Sequence, residues 1–265
     1  MFLVKKGNGR QSAQIGGMSC KHCLSSIPYA DLIERYRRGE WRTPIFRDLI
    51  LTDIVKRKPA VVLDIGCGSG FDGEPAISKF LADHSCRYIG IEPDESVAKP
   101  DFVTEMHRSI FESAAIQPAS VDVAFAVMVL EHIKTPKLFM AAVSRVLKPG
   151  GVFWGFTVHS RHWFSKISQI MEWLSLKNVY LNQRFGPIGA GARYENYPTF
   201  YRLNREEDFR NCANDFSQSE IYALDRAGQA ISYFPQFLKP LARFCDGVVC
   251  RMANPGALLI VRLGK

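Results

Sequence analysis

The chain has 265 residues, of which 47% are hydrophobic and 23% are charged. This length fits one α/β domain with added segments, and the composition excludes a disordered chain. The formal charge of +8 favours anionic partners such as nucleic acid, an acidic small molecule or a membrane surface, although scattered basic residues are more typical of a solvated surface.

Signatures of membrane-spanning and secreted proteins are missing from the sequence. The longest apolar run, residues 123–130, is too short to cross a bilayer, and the N-terminus lacks the apolar core of a secretory signal. The seven cysteines are odd in number and unevenly spaced, which does not fit a disulfide framework. We therefore expect a cytoplasmic protein that has no transmembrane segment and keeps its thiols reduced.

Two parts are expected before the first core strand. Residues 1–17 are polar and contain glycine, so we expect this stretch to be mobile. Residues 28–56 carry apolar side chains at intervals of three to four, which predicts helices. We interpret residues 1–56 as a polar segment with a helical cap, and residues 57–265 as the main domain.

Apolar strands then alternate with helices. The strands are predicted at AVVLDI (residues 60–65), RYIGIE (87–92), VDVAFAVMVL (121–130) and GGVFWGFTV (150–158). Thr135 and Pro136 mark the start of the helix before the last of these strands, as N-cap and first-turn residue. This alternation predicts a doubly wound, mainly parallel sheet that helices cover on both faces. SQSEIYAL (217–224) and GALLIVRL (256–263) are expected to close the sheet.

Residues 159–205 interrupt this alternation. They are rich in aromatic residues, glycine and proline, as in GPIGAGARYENYPTFYR (residues 186–202). Ligands of open α/β sheets bind at the carboxyl ends of the strands, where such a segment would lie. We therefore interpret it as an insertion that forms a substrate lid over this edge.

The segment VVLDIGCGSGFDG (residues 61–73) contains two overlapping glycine patterns: G-x-G-x-G at residues 66–70, and G-x-G-x-x-G, the dinucleotide fingerprint, at residues 68–73. Both patterns suit a tight turn between a strand and a helix, where backbone N–H groups face a ligand. Glu92 ends the next strand. It fits both a dinucleotide and S-adenosylmethionine, because its carboxylate can accept hydrogen bonds from the ribose hydroxyls of either ligand. Asp64 favours S-adenosylmethionine, since a carboxylate at the turn repels a pyrophosphate but suits sulfonium and ammonium groups. The dinucleotide fingerprint by itself is a weak signal.

Three stretches resemble class I S-adenosylmethionine-dependent methyltransferases. VVLDIGCGSG resembles their first motif, IGIEPDE resembles their acidic second-strand end, and residues 120–151 are similar to the ubiquinone/menaquinone-type (type 11) branch. The resemblance covers residues 60–158. It implies a Rossmann-like sheet of seven strands, mostly parallel with the last strand antiparallel. It also implies S-adenosyl-L-methionine as cofactor and S-adenosyl-L-homocysteine as product.

The same resemblance implies roles for the matching positions. The implied cofactor contacts are Asp64, Gly66, Cys67 and Gly68 for the methionine part, Glu92 for the ribose, Pro93 and Asp94 beside the adenosine, and Met128 and Val129 over the cofactor. The stretch RSIFES (residues 108–113) lacks an Asp that is common there in the family. The adenine would then contact backbone groups of Ile110 and Phe111, or the side chain of Glu112. We interpret Cys67 as a small buried residue rather than a nucleophile.

His132, in LEHI, is our candidate general base, because a hydroxyl acceptor must lose its proton. LEH often orders the loop beside the cofactor in this branch, so a structural role stays open. The expected acceptor contacts are His159, His162, Tyr194, Tyr197, Tyr201 and Arg202. Aromatic and arginine side chains suit an aromatic or anionic small molecule, and the alternative is that they form the insertion's own small core.

GGMSCKHC places Cys20 and Cys23 in a pattern that resembles the metal loop of small copper-carrying domains. Those domains need a β-α-β fold around the loop, and too few residues precede Cys20. A zinc site would need two further ligands, which Cys245 and Cys250 could supply only with unusual spacing. We therefore predict no metal site.

Three functions are compatible with the sequence. The leading hypothesis is a small-molecule methyltransferase that prefers oxygen over nitrogen or carbon as the accepting atom. The second is an RNA methyltransferase. The charge supports it, but the sequence has no recognisable RNA-binding module and no N-P-P-Y-like loop. The third is a non-catalytic protein that binds S-adenosylmethionine. Neither the identity of the acceptor nor the oligomeric state follows from the sequence.

Overall fold

The computed structural model of the chain describes residues 2–5, 29–186, 197–226, 228, 231, 234–251 and 256–265. The strands are β1 (Phe2–Lys5), β2 (Val61–Ile65), β3 (Arg87–Ile91), β4 (Glu105–His107), β5 (Val121–Val127), β6 (Leu147–Val158), β7 (Gln218–Leu224) and β8 (Leu258–Gly264). The helices are α1 (Tyr29–Arg37), α2 (Arg42–Lys56), α3 (Pro75–Asp83), α4 (Pro136–Val146), α5 (Trp163–Trp173), α6 (Lys177–Phe185), α7 (Glu206–Cys212) and α8 (Lys239–Arg251).

The strands form one sheet in the order β1-β7-β8-β6-β5-β2-β3-β4. All neighbouring pairs are parallel except the two that β8 makes with β6 and β7. The predicted doubly wound sheet of seven strands, with the last antiparallel, is therefore confirmed for β2 to β8.

An eighth strand, β1, lies at the edge of the sheet and pairs with β7 in parallel, with Phe2 opposite Ser219. The polar character of residues 1–17 predicts a mobile stretch, and that prediction is wrong for residues 2–5. The apolar sequence FLV is compatible with an edge strand, whose main-chain groups pair with β7. The rest of residues 1–17 lies outside the described residues.

The two faces of the sheet carry two separate apolar cores. Alternate side chains of β2 point to opposite faces, so Leu63 belongs to one core and Val62 to the other. The first core is covered by α4 and α7, through residues such as Phe139 and Phe209. The second core is covered by α1, α2 and α3. Both faces of the parallel sheet are thus buried, as the apolar strands predict.

Helix α2 packs directly on the sheet. Its side chains Ile45, Phe46 and Ile50 are completely buried, and the ring of Phe46 stacks on that of Phe156 in β6 at 4.0 Å between centroids. Helix α2 therefore belongs to the layer that covers the sheet, although it lies within the segment expected to form a cap. In α4, Pro136 occupies the first turn as expected, whereas the Thr135 side chain makes no capping hydrogen bond.

A buried ion pair joins α2 to the last strand. Arg262 in β8 donates to Asp53 through Nε at 3.0 Å and through Nη2 at 3.1 Å, and Trp154 Nε1 donates to the same carboxylate at 2.9 Å. Burial alone would raise the pKa of Asp53, but the hydrogen bonds and charges of Arg262 and Arg57 outweigh it and hold that pKa below its ordinary value. This network fixes α2 to the middle of the sheet.

Two segments extend beyond the carboxyl edge of the sheet. Helices α5 and α6 lie in the predicted insertion after β6, and α8 lies between β7 and β8, where the sequence analysis identified no helix. Within the described part of the chain, no helix combines the length and apolar character needed to cross a membrane.

Candidate functional site

The glycine turn follows β2 and is bonded to the end of β3. Gly66 and Gly68 have φ values of +74° and +47°, in the left-handed region that glycine adopts without strain. The N–H groups of Gly66 and Cys67 both donate to the carbonyl oxygen of Ile91, at 2.9 and 3.0 Å. A Cβ atom on Gly66 would lie 2.5 Å from Cγ2 of Val129, so the loop after β5 closes directly over the turn.

Glu92 stands beside the turn with a fixed, buried carboxylate. Its Oε2 accepts the N–H of Gly68, and its Oε1 accepts the N–H of Asp94, each at 2.9 Å. A carboxylate oxygen accepts more than one hydrogen bond, so both oxygens can also accept from a ligand hydroxyl. The arrangement fits a vicinal diol such as that of a ribose.

Asp64 is buried at the end of β2 and accepts a hydrogen bond from Tyr88 Oη at 2.7 Å. Burial raises the pKa of Asp64 to about 7, and the charge of Glu92 acts in the same direction. Among the described residues, neither of these carboxylates forms an ion pair with a basic side chain. The turn therefore suits a positively charged ligand and disfavours a pyrophosphate.

The other residues expected to contact the cofactor follow β3, β4 and β5, at the carboxyl edge of the sheet. Pro93 is exposed, Ile110 is exposed and Phe111 is buried. Met128 has a φ of +55° and donates its N–H to the carbonyl oxygen of Phe156 at 2.8 Å, which sets the direction of the loop after β5. Burial raises the pKa of Cys67, so its thiol stays protonated, in line with a packing role.

The loop after β5 presents His132 to the insertion. His132 Nδ1 lies 3.0 Å from the carbonyl oxygen of Pro198, and its ring centroid lies 6.2 Å from that of Tyr197. The carbonyl oxygen of Glu131 accepts the N–H groups of Phe200 and Tyr201, at 2.7 and 3.1 Å. The chain from 197 to 201 is thus attached to the loop that carries the candidate base.

The Glu131 side chain holds a buried polar network below this loop. Its Oε2 accepts from Thr157 Oγ1 at 2.9 Å, and Thr157 Oγ1 accepts from Asn204 Nδ2 at 2.7 Å. Asn204 Nδ2 also donates to the carbonyl oxygen of Val158 at 3.0 Å. The end of β6, the loop after β5 and the end of the insertion are therefore joined by one network.

His159 is completely buried, and both of its ring nitrogens have protein partners. Nδ1 accepts the N–H of Arg161 at 3.1 Å, so Nε2 carries the proton and lies 3.2 Å from Oε2 of Glu206. The hydrogen bond from His159 lowers the pKa of Glu206 to about 2, against the opposing effect of burial. This histidine links the end of β6 to α7 and leaves no ring nitrogen for an acceptor.

His162 caps the start of α5, where its Nδ1 accepts the N–H of Phe164 at 3.4 Å. Burial lowers the pKa of His162, which keeps the ring neutral. Among the described residues, its Nε2 has no hydrogen-bond partner. Unlike His159, this histidine keeps one nitrogen for a ligand.

Tyr201 and Arg202 lie on the segment attached to the His132 loop. Tyr201 Oη donates to Ser168 Oγ in α5 at 3.4 Å, and Arg202 Nη1 donates to the carbonyl oxygen of Lys134 at 3.0 Å. Tyr194, Cys20 and Cys23 lie outside the described residues. In the described ranges, no group of three or more His, Cys, Asp or Glu side chains could hold a metal ion.

Residues 33–217 match the family model of a methyltransferase domain. The chain belongs to this methyltransferase family. This family is that of the class I S-adenosylmethionine-dependent methyltransferases, whose cofactor is S-adenosyl-L-methionine. The match begins inside α1 and ends before β7, so it includes the glycine turn, Glu92 and His132.

Known proteins similar to this methyltransferase include the ubiquinone biosynthesis O-methyltransferase of Idiomarina loihiensis, which is 30% identical over 141 residues. That alignment covers 47% of this chain and 54% of the relative, and the next two relatives are covered to 35% and 41%. The chain thus spans about half or less of the length of these curated relatives.

Two solved structures share the fold at low identity. One is a methyltransferase of Haloferax volcanii in complex with the Trm112 methyltransferase activator, at a TM-score of 0.52 and 19% identity over 89% of this chain and 93% of that one. The other is geranyl diphosphate C-methyltransferase of Streptomyces coelicolor A3(2), bound to Mg²⁺, geranyl diphosphate and S-adenosyl-L-homocysteine. Its TM-score is 0.50 at 12% identity, over 89% and 82% of the two chains.

A contact that the sequence does not reveal supports the glycine turn. Arg42, the first residue of α2, donates to both oxygens of Asp72 at 2.7 Å, and Thr43 Oγ1 donates to the same carboxylate at 2.9 Å. Asp72 has a φ of +51°, a left-handed conformation that Asp tolerates better than most residues. The start of α2 therefore holds the second half of the glycine turn in place.

Proposed function

We propose that this methyltransferase transfers the methyl group to a hydroxyl oxygen of a small molecule, with His132 as the general base. The observation that carries the proposal is the 3.0 Å contact between His132 Nδ1 and the carbonyl oxygen of Pro198. A carbonyl oxygen only accepts, so Nδ1 carries the ring proton and the neutral ring keeps its free electron pair on Nε2. A general base needs this free pair.

S-adenosylmethionine, when bound, supplies a methyl group that a sulfonium sulfur makes electrophilic. A hydroxyl acceptor must lose its proton as its oxygen forms the new bond to carbon, and His132 Nε2 would receive that proton. Asp64 would attract the positive charge of the cofactor, and Glu92 would bind its ribose. Orientation of the two reactants would account for most of the catalysis, because a sulfonium donor needs little activation.

The acceptor would lie between the His132 loop and the insertion. We assign acceptor contacts to Tyr197, Tyr201, Arg202 and His162, but not to His159, whose two nitrogens are already bonded. The Arg202 guanidinium, over the ring of Phe200 at 5.8 Å, is near the surface and can meet an anionic group. An aromatic or anionic hydroxyl compound would match these side chains.

Relatives that act on small molecules support this proposal without fixing the accepting atom, and another relative, 30% identical over 121 residues, is by its name a tRNA carboxymethyltransferase. By its name, the Idiomarina loihiensis relative is an O-methyltransferase, whereas the Streptomyces coelicolor protein methylates carbon on the same fold. We prefer oxygen because a hydroxyl needs the base that His132 provides. A neutral amine acceptor would depend less on this histidine, because its nitrogen already has a free electron pair.

The test uses S-adenosylmethionine with a radiolabelled methyl group. The purified protein is incubated with extract of the source cells, and small molecules, lipids, RNA and protein are then separated. We expect the label in a small molecule or lipid, as a methyl group bonded to oxygen. Label in RNA would overturn the proposal, and cofactor binding without labelled product in any fraction would favour a non-catalytic role.

A further inference from the structure

The Arg108 side chain connects the end of β4 to the loop that follows β3. Its Nη1 donates to the carbonyl oxygen of Asp94 at 2.7 Å, and its Nη2 donates to that of Val97. A guanidinium carries its donors in a fixed fork, so one side chain can hold two acceptors in a defined relative position. The loop is thus attached at two points to the residue that follows β4.

These two bonds are not part of a surface salt bridge. Arg108 is exposed, and its guanidinium forms no ion pair with a carboxylate among the described residues. Ordering a long exposed side chain costs rotamer entropy, which the two bonds to main-chain oxygens must offset. The contacts are those of a side chain that holds the main chain of the loop in place.

The main chain beside Arg108 holds the start of the same loop. Glu92 donates its N–H to the carbonyl oxygen of His107, the residue before Arg108, at 3.0 Å. Residues 107 and 108 therefore bond to the N–H of Glu92 and to the carbonyl oxygen of Asp94, two residues further along. Between these two points, the main chain has little freedom to move.

The N–H of Asp94 lies within this short stretch and orients the Glu92 carboxylate. Glu92 Oε1 accepts this N–H at 2.9 Å, while Oε2 accepts the N–H of Gly68 at the same distance. One bond alone would leave the carboxylate free to turn about it, and the second bond fixes its plane. Because Arg108 holds the carbonyl oxygen of Asp94, it also limits where the Asp94 N–H can lie.

The loop's own hydrogen bonds do not replace Arg108. The Asp94 side chain accepts the N–H of Ser96 at 2.8 Å and its hydroxyl at 2.6 Å. Both bonds lie within residues 94–96, so they order the turn without attaching it to β4. The attachment depends on Arg108.

We propose that Arg108 is a positioning residue for the cofactor, which holds Asp94 so that the Glu92 carboxylate is oriented for the ribose. The inference rests on the proposed role of Glu92 as the ribose ligand. Arg108 acts on the cofactor only through Asp94 and Glu92. It is the first residue of RSIFES, the stretch that lacks an Asp common there in the family. In this chain, the stretch after β4 thus contributes to the cofactor site through its arginine.

The test is titration calorimetry of the full chain with S-adenosyl-L-homocysteine, which needs no methyl acceptor. Arg108→Met should weaken binding about threefold to tenfold, the effect of one ordinary hydrogen bond, because Glu92 keeps its charge but loses its fixed orientation. Arg108→Lys should recover part of this loss, since an ammonium group can donate to the Asp94 carbonyl but has no second arm for Val97.

A double substitution separates positioning from a general structural role. In Glu92→Ala no carboxylate is left to orient, so adding Arg108→Met should reduce the affinity by less than about twofold further. A merely structural effect of Arg108 would weaken binding by the same factor in both backgrounds.

Lys99→Met is the matched control. Lys99 is an exposed basic residue of the same loop, and its Nζ donates to the carbonyl oxygen of Thr104 at 3.2 Å, outside residues 92–97. The substitution removes the same charge and a similar contact, and its affinity should stay within about twofold of the wild type.

The inference is overturned if Arg108→Met binds as the wild type does, or if it causes the same loss in the wild type and in Glu92→Ala. It is also overturned if Lys99→Met weakens binding as much as Arg108→Met, since charge alone would then account for the effect. An unchanged affinity in Glu92→Ala would instead remove the ribose assignment itself, and with it the role of Arg108.

Discussion

Glu92 accepts the N–H of Gly68 at 2.9 Å, so the carboxylate that follows β3 is fixed to the turn that follows β2. The second carboxylate oxygen is fixed in the same way by the N–H of Asp94. The carboxylate is therefore oriented before any ligand arrives, and a diol would bind without paying the entropy of ordering this side chain.

Glu92→Ala should weaken the binding of S-adenosylmethionine. Hydrogen bonds to a charged group contribute about 1.5–3 kcal/mol each, so we expect a loss of roughly tenfold to a hundredfold in affinity, measured by titration calorimetry. Glu95→Ala is the control, because Glu95 is an exposed acid three residues away. An unchanged affinity in Glu92→Ala would exclude the ribose assignment.

Cofactor affinity should depend on pH through Asp64. Burial raises the pKa of Asp64 to about 7, so the group is neutral below this pH and negative above it. The negative form attracts the positively charged cofactor, and affinity should rise by up to about tenfold per pH unit until it levels off above the pKa. Calorimetric titrations at several pH values measure this slope, and Asp64→Asn should flatten it. A wild-type affinity that falls with rising pH would contradict the role of Asp64.

His132→Ala should slow methyl transfer and spare cofactor binding. A general base typically contributes about a hundredfold to ten-thousandfold in rate, and the label-transfer assay on the identified acceptor measures the loss. His84→Ala is a matched control, since His84 Nδ1 lies 2.7 Å from the carbonyl oxygen of Phe80, far from the site in the fold. Equal turnover in His132→Ala and the wild type would remove His132 as the base.

Breaking the buried pair of Asp53 and Arg262 should strongly destabilise the fold. In Arg262→Met, the buried Asp53 carboxylate keeps Arg57 but loses Arg262, its fully buried cationic partner, so we expect a loss of up to about 3 kcal/mol in the free energy of unfolding. Denaturant titration measures this change. Lys79→Met removes the exposed pair with Asp83 and should change stability by less than about 1 kcal/mol. Similar effects of the two substitutions would show that burial does not distinguish the pairs.

The sequence was sufficient for the features that local patterns determine. Apolar runs located β2, β3, β5 and β6, because strands buried on both faces need apolar side chains throughout. The glycine turn was identifiable because a tight turn needs residues that adopt positive φ, as Gly66 and Gly68 do.

Partners of buried polar groups could not be predicted in the same way. Tyr88 and Asp64 lie on neighbouring strands, and their hydrogen bond depends on the register of β2 and β3 rather than on either local pattern. His159 follows a strand, as a ligand-binding residue often does. Only its contact with Glu206 shows that it has a structural role, linking the end of β6 to α7. The position of α2 on the sheet could not be predicted either, because an apolar helix face suits both a helix that covers the sheet and a helix in a cap.

The position of β8 has a consequence for how the chain is assembled on the ribosome. Strand β1 is synthesised first, yet its partner in the sheet is β7, and β7 joins the other strands through β8. Until β8 has been made, β1 and β7 cannot dock onto the rest of the sheet, and the outer edge of β6 is uncovered. Folding of this half therefore follows translation of β8, and until then β6 presents an open strand edge of the kind that pairs with other chains.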